Sequence, residues 1–415
     1  MTEEIKYLDF DLHIWAEGPI YKARVRESPA GTTQSATFTW PFIDQAGVIK
    51  TRLENAIQGS RRSLVGPPTI EEKILRDFGS NVFRAIFQET TAVATKFRSS
   101  MEMVRMSEEF QGLRLKLSVE PPELAMLPWE YMFDETAMAD DAPQHYLCLR
   151  NSSPVVRFLE VDARRPPLCV DGPLRVLGMI ANPNIEGYAR FDIGRERRRI
   201  EEEMRKIPAS RVKFKWLTGG TQDDLLEAMQ DGGWHIFHFL GHGGTQTSLS
   251  NGKEHTEGFV FMEDRHGDPV KVLGPDLALF LESNKQLRLA VLNCCESANG
   301  TSFSSAGASL VSLGVPLVVA MQFAISNGAA ARFSNQFYRS LVAGQSVEQA
   351  LTVARIYMRN EFKLEWGIPV LFTRASPTVL FRPTVDSAED SSFPATAGKR
   401  KRTAEARAEL RRLFQ

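Results

Sequence analysis

The chain has 415 residues, with 50 Lys and Arg against 51 Asp and Glu for a formal net charge of −1, and 43% hydrophobic residues. That length suits two or three domains or one large α/β unit, and the even charge argues against bulk nucleic-acid binding or a cationic membrane-seeking surface. Four cysteines (Cys148, Cys169, Cys294, Cys295) are too few for a disulfide scaffold and form no Cys-x-x-Cys metal pair, so a reduced, cytoplasmic setting is expected.

Met1–Lys6 lacks the basic and apolar regions of a signal peptide. Residues 5–42 read as strands: Leu8–Trp15 alternates, Glu17-Gly18-Pro19 is a turn signal, and Tyr21–Val25 is the returning strand. Ile70 to about Phe97 fits helix better than strand. Leu113–Val119 alternates strictly and is expected as a half-buried strand, ended by Pro121-Pro122. Leu127–Phe133 follows as a short helix with proline early in it and Trp129 as a core anchor. Arg164-Arg-Pro-Pro167 marks a seam.

Beyond the seam the pattern is regular. Strands are expected at Leu174–Ile180, Arg211–Leu217, Ile236–Leu240, Leu287–Leu292, Pro316–Met321 and Ile368–Phe372. Helices fall between them at Arg195–Ile207, Gln222–Met229, Asp276–Leu281, Ala306–Leu313, Asn327–Val342 and Val347–Phe362. Such alternation implies crossover units and a mostly parallel sheet with helices on both faces. Phe259–Pro269 reads as a small hairpin inserted after the loop at His242. Apolar stretches such as Val315–Met321 are too short to span a bilayer. Residues 384–398 look like a linker, and Lys399–Gln415 like a basic helix with a narrow apolar stripe at Leu410, Leu413 and Phe414. The domains expected are therefore an N-terminal α+β region over 1–165, an α/β domain over 166–383, and a linker with a basic tail over 384–415.

Two side chains turn this outline into chemistry. His242 stands two residues past Leu240, and Cys295 three past Leu292. In an open parallel sheet, functional groups gather at the carboxyl ends of strands. If the two strands are neighbours, the thiol and the imidazole share one rim, as a nucleophile and its base. A free Cys is largely protonated at pH 7, and a nearby imidazole raises its thiolate fraction and later protonates the leaving amine. Backbone N–H groups of Gly243 and Cys295 are placed to meet a developing oxyanion. Period-2 alternation puts Cys294 and Cys295 on opposite faces, so one of them faces the rim. His238, inside the strand, reads as a packed histidine. His235 with His238 or His242 has the spacing of some metal pairs, but on a strand that geometry diverges, and neither metal nor cofactor is expected.

His238-Phe-Leu-Gly-His242-Gly243 and Leu292-Asn-Cys-Cys295-Glu-Ser297 resemble the His and Cys motifs of the CHAT family of caspase-like cysteine peptidases, relatives of caspases, separases and gingipains. Leu127-Pro-Trp-Glu130, Gly314–Met321, Phe337-Tyr338, Ala350, Ala354-Arg355 and Trp366–Phe372 resemble further family segments. The resemblance covers roughly residues 70–383. It implies a caspase-like fold, His242 as general base, Cys295 as nucleophile and Gly243 as oxyanion donor. It implies protein substrates and an activating protein partner, in bacterial signalling or defence, with no membrane and nucleic acid involved at most indirectly. Some caspase relatives carry an acid two residues before the Cys for a basic P1 side chain, where this chain has Asn293. Glu263, Asp264 and Glu296 are the acidic substrate-binding candidates. A non-catalytic caspase-like scaffold acting by association is the alternative.

Overall fold

The computed structural model describes residues 5–42, 45–61, 69–136, 142–159, 168–170, 172–186, 188, 191–250, 253–294, 304–374 and 381–383. The seam at Arg164–Pro167 and the linker and tail over 384–415 lie outside the described residues.

In chain order come β1 (Tyr7–Glu17), β2 (Ile20–Glu27), β3 (Ala36–Phe38), α1 (Ala46–Ser60), α2 (Ile70–Arg84), α3 (Thr91–Met106), β4 (Gly112–Val119), α4 (Pro122–Ala125), β5 (Val155–Phe158) and β6 (Leu168–Val170). Next are β7 (Leu174–Ile180), α5 (Ile193–Met204), β8 (Val212–Trp216), α6 (Gln222–Asp231), β9 (Ile236–Gly241), β10 (Gly243–Ser250), β11 (Lys253–Glu263), β12 (Pro269–Leu273), α7 (Gly274–Glu282) and β13 (Leu289–Cys294). The described chain closes with α8 (Ser304–Ser312), β14 (Leu317–Met321), α9 (Asn327–Val342), α10 (Val347–Phe362), β15 (Pro369–Thr373) and β16 (Phe381–Pro383).

Helix starts follow capping chemistry. Thr69 and Thr221 form capping boxes with Glu72 and Asp224, and Asp192, Ser326 and Ser346 cap α5, α9 and α10 through their side chains. The short apolar runs between these helices become one 11-stranded sheet in the order β3-β2-β1-β4-β5-β15-β14-β13-β9-β7-β8. Neighbours run parallel except β1 with β2, β2 with β3, and β14 with β15. This is a mixed α/β fold with a large, mostly parallel sheet, as the alternation predicts. One face joins Ile236, Leu240, Leu289 and Val291 to the buried residues of α5, α9 and α10; the other joins Phe237, Phe239, Ala290 and Leu292 to those of α6, α7 and α8. β5 pairs with β15, so a single sheet runs through strands on both sides of the seam.

Several elements differ from the sequence reading. The helix expected over 70–97 is two helices, broken by a π-type turn at Ala85–Glu89 where the Thr90 hydroxyl donates to the Ala85 carbonyl at 2.7 Å. Helix α1 carries no side-chain hydrogen bond at its N-cap and was not legible as an element. β4 is buried rather than half-buried, because charges fill its polar face: Arg114 bonds Asp9 at 2.7 Å and Glu348 of α10 at 2.5 Å, and Lys116 lies 3.4 Å from Asp11. The hairpin at 259–269 is part of a three-stranded sheet, β10-β11-β12.

The segment at Leu127–Phe133 forms a 3-10 turn at Trp129–Tyr131, with Trp129 fully buried and its indole N–H donating to the Leu124 carbonyl at 2.8 Å. Glu130 is a buried hub. Its carboxylate accepts from Arg157 of β5 at 3.0 and 2.9 Å and from Gln322, just past β14, at 3.0 Å. Arg157 returns to the Leu127 carbonyl at 2.8 Å, and Gln322 donates to the Gly367 carbonyl at 2.7 Å. Three separate stretches of chain thereby meet at one carboxylate, and a fourth, at Gly367, joins them through Gln322.

Candidate active site

β9 and β13 are adjacent and parallel, with Val291 opposite His238, Asn293 opposite Leu240, and Cys294 opposite Gly241. Both strands therefore end at the same rim, and His242 is the residue that leaves β9 there. Ile236 and Leu240 share a face with Leu289 and Val291, while Phe237 and Phe239 share the other with Ala290 and Leu292. Gly241 marks a close approach: a Cβ there would sit 2.8 Å from the Ala181 carbonyl at the end of the adjacent β7. Only glycine fits that junction without moving a strand.

His242 is 1% exposed. Its carbonyl accepts from the Phe261 N–H at 2.9 Å, tying the rim to β11. Two aromatic rings from the loop between β7 and α5 lie against the imidazole: Tyr188 at 5.4 Å between centroids with a 62° interplanar angle, and Phe191 at 5.3 Å and 59°. Tyr188 also contacts Phe261 at 5.5 Å. Gly243, the expected oxyanion donor, is buried at the start of β10, opposite Val260.

The acidic candidates are engaged in local structure. Glu263 ends β11 and its carboxylate accepts from the Asn182 backbone N–H at 3.1 Å, while its own N–H donates to the Gly220 carbonyl at 2.9 Å. It thus braces the loops that follow β7 and β8. Asn182 in turn donates to the Phe191 carbonyl at 2.6 Å, so the brace extends to the ring over His242. Asp264 accepts from the Asp268 and His266 N–H groups at 2.8 Å each, and these bonds hold its carboxyl below the usual range. That is the signature of a turn-forming aspartate. Asn293 is 0% exposed, and neither its amide nitrogen nor its amide oxygen has a hydrogen-bond partner among the described residues. Cys295, Glu296 and the small residues Ser297, Ala298 and Gly300 lie outside the described residues.

His238 is a packed histidine, fully buried with Nδ1 2.7 Å from the Tyr338 hydroxyl. Burial pushes its pKa down to about 3, so it is neutral in ordinary conditions. His235 accepts from the Arg175 N–H at 3.1 Å, and burial, with Arg175 and Arg288 nearby, lowers its pKa to about 4. Among the described residues no three His, Cys, Asp or Glu side chains form a metal-binding group, and no helix is long and apolar enough to cross a membrane.

Tyr188, Phe191 and Asn182 were not singled out by sequence reasoning. The one available signal was a pair of aromatic residues within the loop that follows an apolar strand, Gly187-Tyr-Ala-Arg-Phe191.

A sequence profile of the CHAT domain matches residues 83–386. No curated protein matches the chain. Among solved structures, the Arg-specific cysteine proteinase gingipain R is similar at 11% identity, over 81% of this chain and 76% of that one, with a TM-score of 0.38. The separase–securin complex of Saccharomyces cerevisiae is similar at 14% identity, over 79% of this chain and 22% of that one, with a TM-score of 0.37. A secreted C11 cysteine protease from Bacteroides thetaiotaomicron, in complex with an irreversible peptide inhibitor, is similar at 12% identity, over 45% and 58%, with a TM-score of 0.29.

Proposed function

The chain belongs to the CHAT domain family, and on that footing we propose that it is a cysteine endopeptidase whose working pair is Cys295 and His242. The strongest support is the register of β9 and β13, in which Gly241 and Cys294, the residues just before the proposed pair, stand opposite each other. The period of two adds to it. The β9 residues 236, 238 and 240 and the β13 residues 289, 291 and 293 lie on one face, and continuing each series by one step reaches 242 and 295. Cys294 falls in the other series and is proposed as a core residue.

In this reading the Cys295 sulfur loses its proton to His242 and attacks a peptide carbonyl, forming a tetrahedral oxyanion. Backbone N–H groups of Gly243 and Cys295 hold that charge. His242 then gives the proton to the leaving amine, and water hydrolyses the acyl-enzyme by the same route. Replacing Cys295 with alanine is expected to abolish cleavage of the true substrate. Unbiased profiling of cleaved peptides, with and without candidate partners, tests this, and cleavage undiminished in the variant refutes it.

The cover over His242 bears on regulation. An imidazole 1% exposed, with Tyr188 and Phe191 against its ring, has to be uncovered before it meets a substrate. This favours activation by a protein partner that shifts the loop between β7 and α5; the cytoplasmic setting within bacterial signalling or defence is proposed on the family resemblance alone. The same burial favours a second reading, a non-catalytic scaffold acting by association. A thiol-reactive peptide electrophile separates the two: labelling of Cys295 supports the enzyme, and its failure under every partner condition supports the scaffold.

A further inference from the structure

Helix α1 is held weakly by its own sequence. Its N-cap residue, Gln45, makes no side-chain bond, and its first turn holds no acidic residue, so neither capping nor the helix dipole is served there. One oxygen of its buried Glu54 carboxylate has no hydrogen-bond partner among the described residues. Yet this helix ends at Arg61, and Arg61 reaches the rim of the sheet. Its Nε donates to Glu365 Oε1 at 3.1 Å, and a terminal nitrogen donates to Glu365 Oε2 at 3.4 Å and to the Ala324 carbonyl at 2.8 Å. Glu365 is 1% exposed and also accepts from the Ser326 N–H at 2.7 Å. Residues 322–326 are the loop that leaves β14, which runs parallel to β13 with Ala320 opposite Leu292. The loop therefore starts at the same rim as His242.

From that loop the contacts continue to the histidine. Asn327, the first residue of α9, donates through Nδ2 to Glu196 Oε1 at 2.9 Å. Glu196 is buried in α5, and its N–H donates to the Asp192 carbonyl at 3.0 Å. Asp192 caps α5 and directly follows Phe191, whose ring centroid lies 5.3 Å from that of His242. We propose that α1 is a regulatory element latched to the loop at 322–326 by Arg61. Its displacement frees in turn that loop, the start of α5 and the aromatic rings against His242. The inference rests on the peptidase reading above and names the place where activation enters. Arg61 is the movable half of the latch. The Glu365 side is fixed, because the Leu364 carbonyl accepts from the Tyr131 hydroxyl and the Gly367 carbonyl from Gln322 at 2.7 Å. The Arg61 side chain keeps 20% exposure at the end of a weakly capped helix. Withdrawn, it leaves the Glu365 charge buried without the Arg61 cation, so the loop no longer keeps its latched form at low cost.

The test uses the full chain in four forms: wild type, Gln45→Ser, Arg61→Ala and the two together. Two rates are read by mass spectrometry: amide hydrogen exchange over residues 322–330, and diethyl pyrocarbonate modification of the His242 peptide. Arg61→Ala should raise both at least roughly fivefold, with exchange in β9 and β13 unchanged. Gln45→Ser supplies the missing cap and should lower both by about two- to fivefold, and this effect should vanish in the double variant. If Arg61→Ala does not fold, Asn327→Ala decides: Gln45→Ser should slow His242 modification in the wild type and leave it unaltered in Asn327→Ala. An unchanged His242 rate in Arg61→Ala, equally faster exchange throughout the sheet, or an effect of Gln45→Ser that survives without Arg61 overturns the proposal. Neither rate requires catalysis, so a chain that cleaves no peptide refutes the peptidase reading while these two rates still decide the latch.

Discussion

Replacing Glu130 with alanine is expected to remove about 3–5 kcal/mol of folding stability. Glu130 is 1% exposed and Arg157 is 7% exposed. Their pairing is bidentate, at 3.0 and 2.9 Å, and Gln322 adds a third bond to the same carboxylate at 3.0 Å. After truncation the guanidinium keeps the Leu127 carbonyl at 2.8 Å but no carboxylate, so a charge stays buried without a partner. The main loss comes from that stranded cation rather than from the bonds removed. Against a typical folding stability of about 5–15 kcal/mol the loss is large. A double replacement, Glu130→Met with Arg157→Met, removes both charges and should recover most of it, since apolar pairs of similar volume often match a buried ion pair. The pH dependence has a fixed sign. Burial pushes the Glu130 carboxyl up, but the charge and hydrogen bonds of Arg157 outweigh it and hold the group below its ordinary value. Its contribution is therefore full above the unfolded-state value of about 4.3 and is lost as pH falls through the lower folded-state value. The Ala variant should lack that part of the acid sensitivity. Urea and thermal unfolding followed by circular dichroism measure all three. A loss below about 1 kcal/mol in Glu130→Ala, or a double variant no more stable than the single one, refutes the reasoning.

Gly79→Ala offers a test of opposite sign to the usual rule, since alanine normally stabilises a helix by about 1 kcal/mol. Here a Cβ would sit 1.9 Å from the Tyr131 carbonyl oxygen and 3.1 Å from the Phe133 nitrogen, both backbone atoms, so the melting temperature should fall; a rise means α2 has room to move. Tyr188→Ala with Phe191→Ala should expose the His242 ring and speed its modification by diethyl pyrocarbonate, read on the His242 peptide by mass spectrometry, with an unchanged rate ruling out the aromatic cover.

Much of the fold was legible because it is written locally. Short apolar runs at Leu174–Ile180 and Ile236–Leu240, and helix periodicity at Asn327–Val342 and Val347–Phe362, depend on neighbours a few residues away. Cap residues such as Ser326 and Ser346 reinforce them. The His and Cys motifs were legible for the same reason, each lying within a few residues of a strand end. Other features were hidden. The alternation in Leu113–Val119 could not reveal that Arg114 and Lys116 are buried, since the acids that neutralise them come from β1 and α10. The role of Glu130 required Arg157 and Gln322, which are remote in sequence.

By itself the sequence determined the mixed α/β class, the parallel character of most of the sheet, and the positions of His242 and Cys295 just past apolar strands. Only the tertiary structure decided that β9 and β13 lie side by side, that Tyr188 and Phe191 lie against the imidazole, and that Asn293 is buried without a partner among the described residues. The division follows from the range of the forces. Periodicity and capping act between residues within a turn or two of one another. Strand order, burial of a charge and the fate of a lone amide depend on what the rest of the folded chain brings against them.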